Sequence, residues 1–298
     1  MRKATIAMVA LSSALALGSN VAQASERCAY SSEQQLTLAD VQRLQLVLAS
    51  DQLTLSGGAS QEVQVHARLC ASSQKRLDEL KLESRQQGNS TRLQLLPERR
   101  SNQFSSGFFR RGGNYGWFDL TVQVPAAMLL DLTLSSGSAT IDNIAGLDLV
   151  LSSGRVRATQ VAGPVSSTVS SGQLTLSDAG PVQLNALSSG QVTLRQVGAV
   201  QASSVSSGQL SIERAAGDVT LNSLSSGQLR VSDVQGSVRV DRISSGSARV
   251  SDVRGNAGFG SIGSGSIRAE RIGGDLSLDR KGSGSVRHQG VQGQVRLP

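Results

Sequence analysis

Over the second half of the chain, apolar residues alternate with polar ones in short runs, and a glycine closes each run. Leu229 and Val231 alternate, Val234 follows, and Gly236 turns the chain; Val238 and Val240 then alternate and Ile243 closes the unit. One unit earlier, Leu210, Ile212, Ala215, Val219, Leu221 and Leu224 repeat the pattern. Period-two alternation bounded by Gly, Ser, Asp and Asn predicts half-buried β-strands. No segment in this region keeps a helical period. The corner glycines are expected to supply positive φ.

The units recur at a fixed interval. A Ser-Gly dipeptide places glycine at Gly137, Gly154, Gly172, Gly190, Gly208, Gly227, Gly246, Gly265 and Gly284, in steps of 17 to 19 residues. A second glycine follows each of these eight or nine residues later, from Gly146 to Gly293. Such a period marks stacked repeats. A lone coil buries about six small aliphatic side chains, too few to offset the backbone entropy of its residues, so coils must stack. The expected fold class is all-β: a single-stacked β-solenoid of about nine 17–19-residue coils over residues 135–298, with a β-rich N-terminal cap over residues 25–134. At ~4.8 Å per strand the nine coils make a rod of about 40 Å.

In the N-terminal section, strands are expected at Leu44 to Leu48, Leu53 to Leu55, Glu62 to Leu69, Thr91 to Leu96, Phe118 to Val124 and Leu129 to Leu134. Ser73 to Leu82 fits one short helix. Residues 1–24 have the features of a signal peptide: Arg2 and Lys3, an apolar stretch from Ile6 to Leu17, then Ala22-Gln23-Ala24 as a cleavage site. That stretch is short for a transmembrane helix, so the mature chain is expected to be periplasmic or secreted, with no transmembrane segment. Cys28 and Cys70 are the only cysteines, and in an exported chain they are expected to form a disulfide. His66 and His288 lie far apart in sequence with no ligand-spaced cluster around them, so no metal site and no cofactor is expected. The formal charge is +7, or +5 without Arg2 and Lys3. So mild a balance does not itself imply nucleic acid.

Two segments carry candidate binding chemistry. Between Glu98 and Trp117 lie Arg99, Arg100, Arg110 and Arg111, with Phe104, Phe108, Phe109, Tyr115 and Trp117 among or just after them. Arginine beside aromatics suits stacking on sugars and contact with phosphate or lipid headgroups. The competing role is structural, with the aromatics plugging the end of the rod. The second candidate is a column: Arg230, Arg249, Arg268 and Arg287 each stand three residues after a turn glycine, at a strict 19-residue step. They lie between inward positions, so stacking places four outward charges about 5 Å apart, an array suited to an anionic partner. Here the competing role is a solubility face, partly neutralised by Asp233, Asp252 and Glu270. Gln173, Gln191, Gln209 and Gln228 should form an amide ladder, read as structural. Gly258 to Gly263 fits G-x-G-x-x-G but lies inside a coil, with no helix to follow it. No nucleophile elbow and no inserted loops between coils occur, so the chain is read as a non-enzyme.

The half-coil Ser226-Gly227-Gln228-Leu229-Arg230-Val231-Ser232-Asp233-Val234-Gln235-Gly236 resembles the bacterial putative-adhesin, or toastrack, family. The resemblance covers roughly residues 115–298. It implies a β-solenoid in an envelope or secreted protein without an enzymatic role, and some relatives are associated with envelope stress. The expected function is therefore that of an exported, adhesin-like binding or scaffolding protein. Its expected partner is an anionic polysaccharide, lipopolysaccharide or an envelope protein. The alternative is a purely structural or stress-associated periplasmic protein with no small ligand.

Overall fold

The structure, a computed structural model, describes residues 28–96 and 115–298. Residues 1–24, read above as a signal peptide, and most of the arginine–aromatic segment, from Arg99 to Arg111, lie outside the described residues. What is described is almost entirely strand. It runs β1 (Tyr30–Leu38), β2 (Arg43–Leu48), β3 (Gln52–Gly58), β4 (Val63–Ala71), α1 (Gln74–Glu79), β5 (Lys81–Gln87), β6 (Ser90–Leu96) and β7 (Gly116–Pro125). From there the chain alternates between two faces. The back face takes β8 (Leu129–Leu134), β10 (Gly146–Leu151), β12 (Val165–Val169), β14 (Val182–Leu187), β16 (Val200–Val205), β18 (Val219–Leu224), β20 (Val238–Ile243), β22 (Ala257–Ile262), β24 (Leu276–Lys281) and β26 (Val295–Arg296). The front face takes β9 (Ser138–Ile144), β11 (Arg155–Val161), β13 (Gln173–Ala179), β15 (Gln191–Val197), β17 (Gln209–Ala215), β19 (Gln228–Val234), β21 (Ser247–Val253), β23 (Ser266–Ile272) and β25 (Ser285–Val291).

Each face is one 13-stranded sheet, and within the repeat every strand pairs in parallel with its equivalent one coil away. The two-sheet β-solenoid of about nine turns is the fold that the repeat predicts. Alternation sets the inside. On the back sheet, Leu132, Leu149, Ser167, Leu184, Ala202, Leu221, Val240, Phe259 and Leu278 stand in one inward column. All nine are buried, with Val240 at 0% and Phe259 at 2% exposure.

The glycine expectation needs correction. The Ser-Gly corners do not use positive φ. Gly172 is required because a Cβ there would lie 2.6 Å from the Gly154 carbonyl oxygen and 2.7 Å from Leu151 Cγ. The corner backbone is itself part of the ladder: Ser189 N donates to Ser170 O at 2.7 Å, and Ser207 N to Ser188 O at 2.7 Å. Close approach between coils, not handedness, excludes the side chain. Positive φ falls instead near the end of each front strand, at Asn143, Gln160, Asp178, Gln196, Arg214, Asp233, Asp252 and Arg271, with φ between 53° and 61°. Left-handed backbone is costly for Gln and Arg. The position is imposed by the residues around it, which stay in register: Thr159 pairs with Ser177 and Val161 with Ala179, while the residue between is skipped.

The opposite corner has its own relay. Asp218 Oδ1 accepts from Ser237 N at 2.8 Å, and Ser237 Oγ from Asn256 N at 3.1 Å. Asn256 Oδ1 accepts from Asp275 N at 2.8 Å, and Asp275 Oδ1 from Gln294 N at 2.9 Å. One polar side chain per coil thus satisfies an amide of the next.

The section before Ser135 both extends and closes the stack. β2 and β3 pair in parallel with β8 and β9. On their far side, β6 and β7 pair in parallel with β2 and β3. Space therefore orders these pairs β6–β7, β2–β3, β8–β9, although β2–β3 comes first in the chain. Beyond them the pairing turns antiparallel: β4 lies on β7, β1 on β4 and β5 on β6. Antiparallel strands end the parallel template on this side, which protects the edge. The corner between β2 and β3 carries Asp51, buried at 3%. Its Oδ1 accepts from Phe118 N at 3.1 Å and its Oδ2 from Ala49 N at 2.9 Å, tying the two coils together.

Candidate binding surfaces

The four column arginines lie on the outer face of the front sheet, on strands β19, β21, β23 and β25. Arg230 is in register with Arg249, Arg249 with Arg268 and Arg268 with Arg287, and all four are exposed. The position two residues before them carries Gln228, Ser247, Ser266 and Ser285. The short serines leave a basin of about 350 Å³ beside the guanidinium groups.

Neutralisation of the column is uneven. Arg268 is bonded to Glu270, and the guanidinium holds the Glu270 carboxyl below the usual carboxylate range. Asp252 is occupied elsewhere: Arg271 Nε and Nη2 donate to it at 2.5 and 2.7 Å, which lowers the Asp252 carboxyl and raises Arg271. Both residues of that pair belong to the positive-φ positions, so the pair bridges adjacent coils. Asp233 accepts from Gln235 Nε2 at 3.3 Å. Among the described residues, Arg230, Arg249 and Arg287 form no ion pair. Of the three carboxylates that could neutralise the column, only Glu270 does so.

The same face continues toward the N-terminal end as the glutamine column expected to form an amide ladder; among the described residues its members are in register but no hydrogen bond links their amides. Gln173, Gln191, Gln209 and Gln228 stand in register, with Thr175, Thr193 and Ser211 taking the places that arginine holds further on. With the Ser-Gly corners they line a second basin, of about 400 Å³. Gln173 accepts from Arg155 Nε at 3.0 Å, whereas the side-chain amides of Gln191, Gln209 and Gln228 make no hydrogen bond among the described residues.

Two members of the aromatic segment are described. Tyr115 precedes β7, and its hydroxyl accepts from Ala29 N at 3.3 Å. Ser72 N donates to its carbonyl at 3.1 Å, and its own N–H donates to Ser72 Oγ at 3.2 Å. Trp117 is half-buried and pairs across the strands with Cys70. Cys70 is bonded to Cys28 with a Cα–Cα distance of 5.5 Å. Tyr115 and Trp117 thus sit where the disulfide fastens the chain to β4. His66 Nε2 lies 3.4 Å from Glu33 Oε2 on the adjacent strand β1, and His288 lies apart on β25.

One cavity has no counterpart in the sequence reading. A groove of about 650 Å³ runs along the back-sheet corner, between the corner residues Pro164, Pro181 and Ala199 and the outward positions Asp148, Gln183 and Gln201. Arg43 closes one end, 2.5 Å from Asp131 and 3.5 Å from Asp148. Among the described residues no helix is long and apolar enough to cross a membrane.

These features define a stacked β-solenoid that carries its chemistry as exterior columns. The Toastrack DUF4097 family profile matches residues 41–297, and the chain belongs to that family. No curated protein matches it. Solved structures with a similar fold include a putative adhesin from Parabacteroides distasonis, 13% identical, with a TM-score of 0.45 over 87% of this chain and 97% of that one. Another, from the same organism, is a putative lipid binding protein, 16% identical, with a TM-score of 0.43 over 91% and 98%. A putative adhesin from Parabacteroides merdae is 15% identical, with a TM-score of 0.41 over 88% and 97%.

Proposed function

We propose that this protein is an exported, non-enzymatic binding or scaffolding solenoid of the cell envelope, and that it holds anionic envelope material on the arginine column of its front sheet. The observation that carries this reading is the state of that column. Among the described residues, Arg230, Arg249 and Arg287 face solvent in register and form no ion pair, and only Arg249 feels a nearby carboxylate, that of Glu270. Two like charges about 5 Å apart repel by roughly 0.8 kcal/mol even in bulk water. Folding therefore holds together charges that an anionic polymer would relieve. The Cys28–Cys70 bond supports an oxidising compartment outside the cytoplasm. The names of the adhesin structures are in keeping with a binding role.

The test is a salt titration of binding to lipopolysaccharide and to an acidic glycan. Wild-type affinity should fall steeply with salt, because contacts of this kind release counterions or are screened. Replacing Arg230, Arg249, Arg268 and Arg287 by Gln should keep the far-ultraviolet spectrum and flatten the salt dependence. If Trp117→Ala abolishes binding while the column variant behaves as wild type, the site is the aromatic segment. Absence of binding in every protein favours a purely structural envelope role.

A further inference from the structure

The two basins on the front sheet adjoin end to end, and we term the pair the trough. Both are lined by Gln228, where the glutamine column ends and the arginine column begins. A single register column runs from Gln173 to Ser285 across seven strands, β13 to β25. At ~4.8 Å per step that is roughly 29 Å. Along it, long and short polar side chains exchange places. In the first half a long Gln stands beside a short Thr or Ser. In the second half a short Ser stands beside a long Arg, as Ser266 does beside Arg268.

Resting on the reading above, we infer that the trough binds a linear acidic polysaccharide lying along the stacking axis, with its sugar hydroxyls on the glutamine column and its acid groups on the arginines. The chemistry favours a hydroxyl-rich polymer. A carboxamide offers both donor and acceptor to neighbouring hydroxyls, and a guanidinium takes a carboxylate through two parallel bonds. Among the described residues, the amides of Gln191, Gln209 and Gln228 make no hydrogen bond and the guanidinium groups of Arg230, Arg249 and Arg287 form no ion pair, though Glu270 lies within electrostatic range of Arg249. These groups stand on β15, β17, β19, β21 and β25, two of them on β19, so they recur at about the rise of one sugar along most of the trough. The described residues lining the trough include no aromatic, so stacked bases have no platform. The apolar residues among them, Leu229, Ala248 and Ile267, are buried, so an acyl chain finds no exposed apolar floor.

The experiment compares oligogalacturonate long enough to span the trough with inorganic polyphosphate of equal charge, which has no sugar hydroxyls. Binding of each is measured across salt for wild type, for the triple variant Gln191→Ala, Gln209→Ala, Gln228→Ala, and for the four-arginine Gln variant. Wild type should prefer oligogalacturonate. The triple variant should lose about tenfold in affinity for it, with an unchanged salt slope and unchanged polyphosphate binding. The arginine variant should lose the salt slope for both polymers. If the triple variant binds both polymers as wild type while the arginine variant loses both, the amide half plays no part. The trough proposal then falls and the column reading stands. If wild type binds neither polymer in a salt-dependent way, both fall. If single-stranded DNA of equal charge, or vesicles of anionic lipid, displaces oligogalacturonate from a tighter complex, the polysaccharide assignment is wrong. A far-ultraviolet spectrum that matches wild type is required of each variant, and Gln→Thr at the same positions replaces any that fails.

Discussion

Val240→Asp tests the inward column most directly, because its effect should depend on pH in a calculable way. Val240 is fully buried on β20, between Leu221 and Phe259 in the neighbouring coils. Losing a buried valine costs about 2 kcal/mol. The new carboxyl has no cationic partner inside, so it must be buried protonated. Protonating a group of unfolded pKa about 3.9 at pH 7 costs about 4 kcal/mol, at 1.36 kcal/mol per unit. The sum, about 6 kcal/mol, is a large share of the stability of a typical domain. The sign follows from linkage. The folded state holds a proton that the unfolded state has released, so the penalty grows as pH rises above the unfolded pKa. Between pH 7 and pH 4 the destabilisation relative to wild type should shrink from about 6 to about 2 kcal/mol. Urea denaturation of wild type, Val240→Asp, Val240→Asn and the surface control Arg242→Asp, at pH 4 and pH 7, reads this out. Val240→Asn should show a penalty independent of pH, and Arg242→Asp a change within about 0.5 kcal/mol at both. A Val240→Asp penalty no larger than that of Arg242→Asp, or one equal at both pH values, would refute the inward placement.

Three further perturbations follow from the same geometry. Gly172→Ala should lower the thermal midpoint clearly, because its Cβ meets the Gly154 carbonyl, while Gly58→Ala, with open space around it, should leave it nearly unchanged. Breaking the Cys28–Cys70 bond, which joins residues 42 apart, should cost about 4 kcal/mol in the chain-entropy account, and thiol labelling of exported protein should find no free thiol until reduction. The Asp252 carboxyl should titrate below an ordinary aspartate, and Arg271→Ala should raise its midpoint in a carbon-detected NMR titration. Because the shift is downward, any stability from this exposed pair is present above about pH 4 and lost as pH falls through the folded midpoint, and it should be small.

The repeat was readable because each of its marks is carried by one residue type at one spacing. Val231 and Val240 declare an inside, and Arg230 to Arg287 declare an outward column, because a 19-residue step returns to the same place on a stacked coil. What could not be read depended on contacts between coils. The sequence shows a glycine at 172 but not that the Gly154 carbonyl stands where its side chain would go. Positive φ falls on Asp, Asn, Gln and Arg in turn, so no residue type marks that column. Asp233 and Asp252 stand three residues after their arginines, at the skipped positive-φ position, while Glu270 stands two after Arg268 and takes it. The β2–β3 and β6–β7 pairs were legible as strands but not as coils. The β2–β3 corner carries Asp51 where the repeat has its glycine, and the spatial order of the pairs is not their chain order. The back-sheet groove was invisible because Pro164, Pro181 and Ala199 share no chemistry until stacking lines them up.

That inverted order has a consequence for how the molecule is made. The strands β2 and β3 leave a ribosome or an export channel early, but their two flanks arrive later, with β6–β7 on one side and β8–β9 on the other. The seed of the rod is therefore a sandwich assembled out of turn, and it cannot close until residue 144 has emerged. Each later coil contacts only its neighbours in the stack, so it has a template on which to settle. Shortening the gene from its 3′ end should remove coils one at a time and leave a folded stump, whereas a small deletion within β2 or β3 should forfeit the whole. By the same logic, the rod can lengthen over generations by duplicating units near its far end, while the interleaved start is under pressure to stay as it is.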